Sequence, residues 1–181
     1  GSSVFVGSSP ETPPISSTME TGTEAAAPPG FISFCIRNPD QCSDTPEQVA
    51  TVSLAKSTWS SIVAVNDHFN QTISPESDLE HYGLPEYWAI PQDGKGDCDD
   101  YAVAKRKALI DAGFPEGALR IAVVRASNGD RHAVLTISTD KGDFVLDNLG
   151  PRVMAWAKTN YVWLERQDPS RPWGWLAIKD N

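Results

Sequence analysis

The chain has 181 residues, with 24 acidic against 15 basic side chains and a net charge of −9. That balance excludes the basic face needed to neutralise nucleic-acid phosphates or to dock on anionic lipid. A hydrophobic fraction of 40% with six tryptophans supports one packed core plus a tail, and no apolar run reaches the ~18–20 residues that span a bilayer.

Residues 1–30 are rich in Ser, Thr, Pro, Ala and Gly and show no periodicity. They read as a disordered linker, with the folded domain expected over 31–181. Near the start of that domain, Cys35 and Cys42 flank Asn38-Pro39-Asp40, turn chemistry that can fold one cysteine back toward the other. A short-loop disulfide would place the protein in an oxidising compartment, periplasmic or secreted; two unpaired thiols are the alternative. Zinc is disfavoured, because no second Cys or His pair lies nearby at ligand spacing.

Apolar residues recur at three- and four-residue spacings over 46–73, which predicts an amphipathic helix with Thr45 as N-cap and Pro46 in the first turn. Residues 74–90 read as a loop punctuated by Pro75, Gly83 and Pro85. The turn Asp93-Gly94-Lys95-Gly96 leads into Asp97-Cys98-Asp99-Asp100-Tyr101 and a helical run over 102–112, which Gly113 and Pro115 terminate. Strands follow over 119–126, 132–139 and 143–148, the first two joined through Asn128-Gly129, a strong hairpin signal. A helix or loop at 153–157 and a last strand at 161–166 complete an α+β order, helices first and then an antiparallel sheet packed on them. Trp156, Trp163, Trp173 and Trp175 are assigned to core or edge packing.

Cys98 is the cysteine left over, and it sits where a Gly-containing loop turns into a helix. Helix N-termini lower a thiol pKa, and their free N–H groups can hold an oxyanion. A buried structural cysteine is the alternative, but Asp97, Asp99 and Asp100 are poor company for a core residue. Of the three histidines, His68 lies in the first long helix, His81 in a loop, and His132 opens a strand just after a tight turn. Pairing across residues 140–142 would set Asp147 opposite roughly Val134, on the same sheet face as His132. Diagonal neighbours on one face are within reach of a His–Asp hydrogen bond. A nucleophile, a base and a group orienting that base are what covalent acyl transfer requires.

Gly96-Asp97-Cys98-Asp99-Asp100-Tyr101-Ala102, His132-Ala133-Val134-Leu135 and Leu146-Asp147-Asn148, in that order, resemble the bacterial transglutaminase-like cysteine peptidases, as does Tyr87-Trp88-Ala89-Ile90-Pro91 ahead of the nucleophile. The resemblance implies a papain-related transglutaminase-like core, with Cys98 as nucleophile, His132 as base and Asp147 as orienter. It implies a periplasmic enzyme in biofilm control that cuts a large surface adhesin, and an inner-membrane cyclic-di-GMP receptor as partner. It also implies calcium, held by Asp97, Asp99 and Asp100; here Asp99 stands where the family most often has Glu, and a shorter arm loosens such a site. Asp97 acting only as a helix-start acid is the alternative. Tyr87 and Trp88 either pack on the catalytic helix or form a substrate wall, with the Trp88 indole reaching the oxyanion. Two rivals share these residues: an amide-directed transglutaminase or amidase, and a calcium-dependent binding module with a vestigial triad.

Overall fold

The computed structural model describes residues 12–42, 50–77, 87–171 and 173–179. A seven-stranded antiparallel sheet carries three helices on one face. The helices are α1 (Pro29–Arg37), α2 (Lys56–Thr72) and α3 (Cys98–Asp111). The strands are β1 (Thr21–Ala25), β4 (Leu119–Arg125), β5 (Arg131–Thr139), β6 (Gly142–Leu146), β7 (Met154–Ala155), β8 (Val162–Gln167) and β9 (Trp175–Ile178), with spatial order β1-β9-β8-β4-β5-β6-β7. A separate parallel pair, β2 (Ser74–Pro75) with β3 (Lys95–Gly96), precedes α3. The α+β expectation holds, as does the pairing of the three central strands.

Period-two alternation divides the sheet into two apolar faces. Ile121, Val123, Ala133, Leu135, Ile137, Phe144 and Leu146 face the helices and share a core with Phe31, Trp59, Ile62 and Leu109. Ala122, Val124, Val134 and Val145 point the other way, onto Trp156, Trp163 and Met19. Register is set by the two hairpins. Gly129 at the β4–β5 turn and Gly142 at the start of β6 both have positive φ, 91° and 106°, a conformation that favours glycine. From Thr139↔Gly142 the β5–β6 ladder runs without a slip to Leu135↔Leu146. The next pair outward would set Asp147 opposite Val134.

Three expectations are corrected. The linker does not extend to residue 30. Thr21–Ala25 is an edge strand paired with β9, Met19 is 3% exposed, and Pro29 opens α1. An edge strand is held by backbone hydrogen bonds, so its side chains need carry no apolar signal. Residues 1–11 lie outside the described residues, as do Thr45, Pro46 and His81. The long helix begins at Lys56, not at 46. Val52 and Leu54 point into the core from extended chain: Val52 forms a parallel bridge with Thr139, and Leu54 N–H donates to Asp140 Oδ1 at 2.8 Å. Finally, the helix of the central motif starts at Cys98 itself, four residues before the first apolar-periodic position. Among the described residues, no helix is long and apolar enough to cross a membrane.

Of the four tryptophans assigned to packing, Trp175, Trp163 and Trp156 are buried, and Trp173 is 37% exposed. Cys35 and Cys42 are bridged, with Cα atoms 5.6 Å apart, and the bridge ties the end of α1 to the short turn of helix at Pro39–Cys42.

Candidate active site

The N-terminus of α3 is built by its own acids. Asp97 is the N-cap, and its Oδ1 accepts from Asp99 N–H at 3.2 Å. Asp100, three residues on, returns the bond: its Oδ2 accepts from Asp97 N–H at 3.1 Å, which completes a capping box. The other Asp100 oxygen accepts from Ala89 N–H at 2.9 Å. One fully buried carboxylate thus fastens the helix start to the Trp88–Ala89 segment. Gly96 is required here by close approach, since a Cβ on it would stand 2.8 Å from Asp100 Cβ.

This cap presents Cys98 as the first residue of α3, against the start of β5. Ala133 N–H donates to Cys98 Sγ at 3.4 Å. The residue before it, His132, is 8% exposed and directs Nε2 to Asp147 Oδ1 at 2.8 Å. Asp147 follows β6 directly; its Oδ1 also accepts from Leu149 N–H at 3.0 Å, and its Oδ2 accepts from the Tyr161 hydroxyl. Cys98, His132 and Ala133 open on one cleft of about 620 Å³, walled by Trp88, Asp97, Asp99, Val123, Arg131, Glu165 and the 26–29 segment. A larger apolar hollow between α2 and α3 holds none of these groups.

The electrostatics differ from the sequence expectation at the thiol. Burial, then the charges of Asp99 and Asp97, push the Cys98 pKa well above its ordinary value, and the Ala133 hydrogen bond opposes them without prevailing. The helix N-terminus therefore does not by itself make a thiolate here. At Asp147, burial works upward, but the hydrogen bond and charge of His132 and the bonds from Tyr161 and Leu149 outweigh it and hold the carboxyl below its usual range. Lys105, further along α3, is fully buried and has no hydrogen-bond acceptor at Nζ among the described residues. Burial lowers its pKa to about 7 against the pull of Asp147 and Asp67.

The calcium expectation meets a partial donor set. Carboxylate oxygens of Asp97 and Asp99 lie with Cys98 Sγ in a group whose ligand atoms are all within 4.8 Å of one another. Two hard oxygens at that spacing fit a calcium ion, which accepts flexible oxygen geometry. Asp100 is not in that group, and both its oxygens accept from backbone N–H groups. It closes the cap of α3. Trp88 is 2% exposed, packs edge-on against Phe31 of α1 with centroids 5.9 Å apart, and also lines the cleft. His68 packs edge-on against Phe69 in α2, and the cleft walls do not include it. Sequence reasoning missed Tyr161, the Ala133 N–H and the wall at 26–29. Ala133 lies within a quoted motif but acts through its backbone, Tyr161 reads as the start of a strand, and the 26–29 segment falls in the expected linker.

Comparison with known proteins accords with this geometry. No curated protein sequence matches the chain. Among solved structures, Legionella pneumophila LapG matches at 28% identity with a TM-score of 0.54, over 64% of this chain and 67% of that one. An EGTA-treated LapG matches at 26% identity and a calcium-bound LapG at 24%, each with a TM-score of 0.54 over 66% of this chain and 70% and 68% of theirs. A family model described as bacterial transglutaminase-like cysteine proteinase (BTLCP) matches residues 21–181, nearly the whole folded chain and including β1. The chain belongs to the bacterial transglutaminase-like cysteine proteinases and is a cysteine peptidase.

Proposed function

We propose that the protein is an exported, periplasmic endopeptidase in which Cys98 is the nucleophile, His132 the base and Asp147 the group that orients it. The observation that carries this is the buried 2.8 Å contact between His132 Nε2 and Asp147 Oδ1, made beside a cleft where the neighbouring Ala133 N–H points at Cys98 Sγ. Asp147 holds Nε2, which leaves Nδ1 as the nitrogen to exchange a proton with the thiol. Cys98 gives that proton to His132 and attacks the scissile carbonyl carbon through sulfur. The resulting oxyanion is stabilised by the backbone N–H of Cys98, the first residue of α3, which the capping box leaves without an intrahelical acceptor. His132 returns the proton to the leaving amine as the C–N bond breaks. Water, deprotonated by His132, then attacks the thioester and releases the new carboxyl terminus and the thiol.

Calcium held by Asp97 and Asp99 would supply positive charge beside a thiol whose ionisation is opposed by burial and then by those two acids. The Cys35–Cys42 bridge supports an oxidising compartment. The substrate we propose is a protruding segment of a large surface adhesin, cut in biofilm control, with an inner-membrane cyclic-di-GMP receptor as the protein that sequesters the enzyme. Both rest on likeness to LapG. The deciding experiment incubates adhesin fragments with wild type and Cys98→Ala, with and without an added primary amine, and sequences the cut ends. New carboxyl termini made only by wild type support the reading. Cutting by Cys98→Ala at wild-type rate sinks the nucleophile, and amine adducts in place of acids turn the enzyme into a transferase.

A further inference from the structure

Asp147 is held at both carboxylate oxygens, and one of its holders has no role in the steps above. Oδ1 meets His132 Nε2 and Leu149 N–H, and Oδ2 takes the hydroxyl of Tyr161. The Tyr161 ring also stands against the imidazole, with centroids 5.6 Å apart and planes tilted by 46°. Behind it, Trp163 packs edge-on at 6.3 Å. A single side chain thus touches both members of the pair, one through its hydroxyl and the other through its ring. It comes from the segment just before β8, two strands away from β5 across the sheet.

We propose that Tyr161 is a positioning residue of the peptidase, setting through its hydroxyl how tightly Asp147 holds the imidazolium of His132 and through its ring the plane of the imidazole. The inference rests on the triad reading of the preceding section. Its physical basis is competition for one charge. A carboxylate that accepts from three donors is a weaker base toward each of them than one that accepts from two. Without the phenol, more of the Asp147 charge acts on His132. The imidazolium becomes more stable, and it gives its proton to a leaving amine less readily. Tyr161 remains a donor throughout the working range, because burial, and then its bond to Asp147, push its own ionisation far above the ordinary value.

Other groups face the same pair. Lys105 acts on Asp147 from α3 and is itself drawn by Asp67 of α2; Cys98 acts on Tyr161 from the start of α3; Arg131 on β5 and Glu165 on β8 line the cleft and approach each other at 3.7 Å. Tyr161 differs from all of these in bonding to Asp147 directly. A purely structural role, satisfying a buried carboxylate oxygen, would leave the proton on the imidazole where it was, and this is what the test reads.

In Tyr161→Phe, kcat on a peptide substrate should fall roughly tenfold while KM stays within about twofold. The titration of the His132 ring, followed by nitrogen-15 NMR in a Cys98→Ala background where no thiol shares the proton, should move up by about half a pH unit or more. Placing 3-fluorotyrosine at position 161 keeps ring and hydroxyl but makes a stronger donor, and should move the titration down. An unmoved His132 titration in both proteins overturns the proposal, even if Tyr161→Phe lowers activity or melting temperature. If Tyr161→Phe does not fold, the fluorotyrosine protein decides alone. The triad reading fails separately, by peptidase activity surviving in Cys98→Ala, whereas the His132 titration reports on Tyr161 whatever the nucleophile is.

Discussion

Cys98 stands among groups that oppose its ionisation. Burial raises its pKa, and Asp99 contributes more than Asp97 to the charge that adds to it. Asp99→Asn should therefore speed alkylation of Cys98 by iodoacetamide at pH 7 in metal-free protein, roughly severalfold, with Asp97→Asn a smaller effect. Equal rates in wild type and Asp99→Asn would show that the carboxylate is screened. Lys105 gives a second residue-scale test. In the unfolded chain it titrates at the ordinary 10.5, and in the fold at about 7. Between those values the unfolded state binds the extra proton, so stability rises with pH across that window, and below it the cost of burying an ammonium applies in full. Lys105→Met removes the cost. Its melting temperature should exceed wild type at pH 6, and the gap should close toward pH 10. A gap that is constant with pH would mean that the ammonium finds water in the fold.

At the scale of elements, α3 concentrates the site because its cap and its contacts are made by the same acids. Asp100 closes the capping box and also anchors Ala89, so it ties together the helix, the turn at Gly96 and the Trp88 wall. Asp100→Ala would leave two part-buried N–H groups, those of Ala89 and Asp97, without their acceptor. Summing a lost cap and an unsatisfied donor, it should cost about 2–4 kcal/mol, read by urea unfolding, with calcium making no difference to that loss. A cost that appears only with calcium present would place Asp100 in the ligand set. On the other side of the cleft, β5 carries His132 and Ala133 on opposite faces. The N–H of Ala133 addresses Cys98, while the His132 ring turns to Asp147 and Tyr161. One strand therefore supplies both contacts to the site.

For the whole molecule, the first described residues are part of the fold. Ser16 and Ser17 bond to β6 and to Trp156, Met19 fills the second core, and β1 extends the sheet before Ala26, Ala27 and Pro28 reach the cleft. A Cβ on Gly142 would meet the Ser17 backbone at 2.6 Å, which shows how closely this segment is laid down. The disulfide then fixes α1, which follows it. Reducing Cys35–Cys42 should cost about 2–3 kcal/mol in the chain-entropy account of a small loop. Intact-mass analysis of the non-reduced, denatured protein should find one alkylatable thiol, belonging to Cys98; three would remove the bridge and with it the main argument for export.

Much of this was legible in the sequence by itself. The α+β order, the Asn128-Gly129 hairpin and the β5–β6 register follow from local patterns: side-chain period, turn chemistry and glycine at positive φ. The same period set Asp147 on the face of His132, where the two are in hydrogen-bond contact. The tertiary structure alone decided what depends on distant segments meeting. β1 pairs through backbone groups that leave no trace in residue type, so a polar stretch became a strand. Val52 and Leu54 fit a helical spacing, but Asp140 and Thr139 took their segment as extended chain. Tyr161, Ala133 and the buried surroundings of Cys98 bear on the site only through three-dimensional proximity, because hydrogen bonds and desolvation act over a few ångströms of space, whatever the separation along the chain.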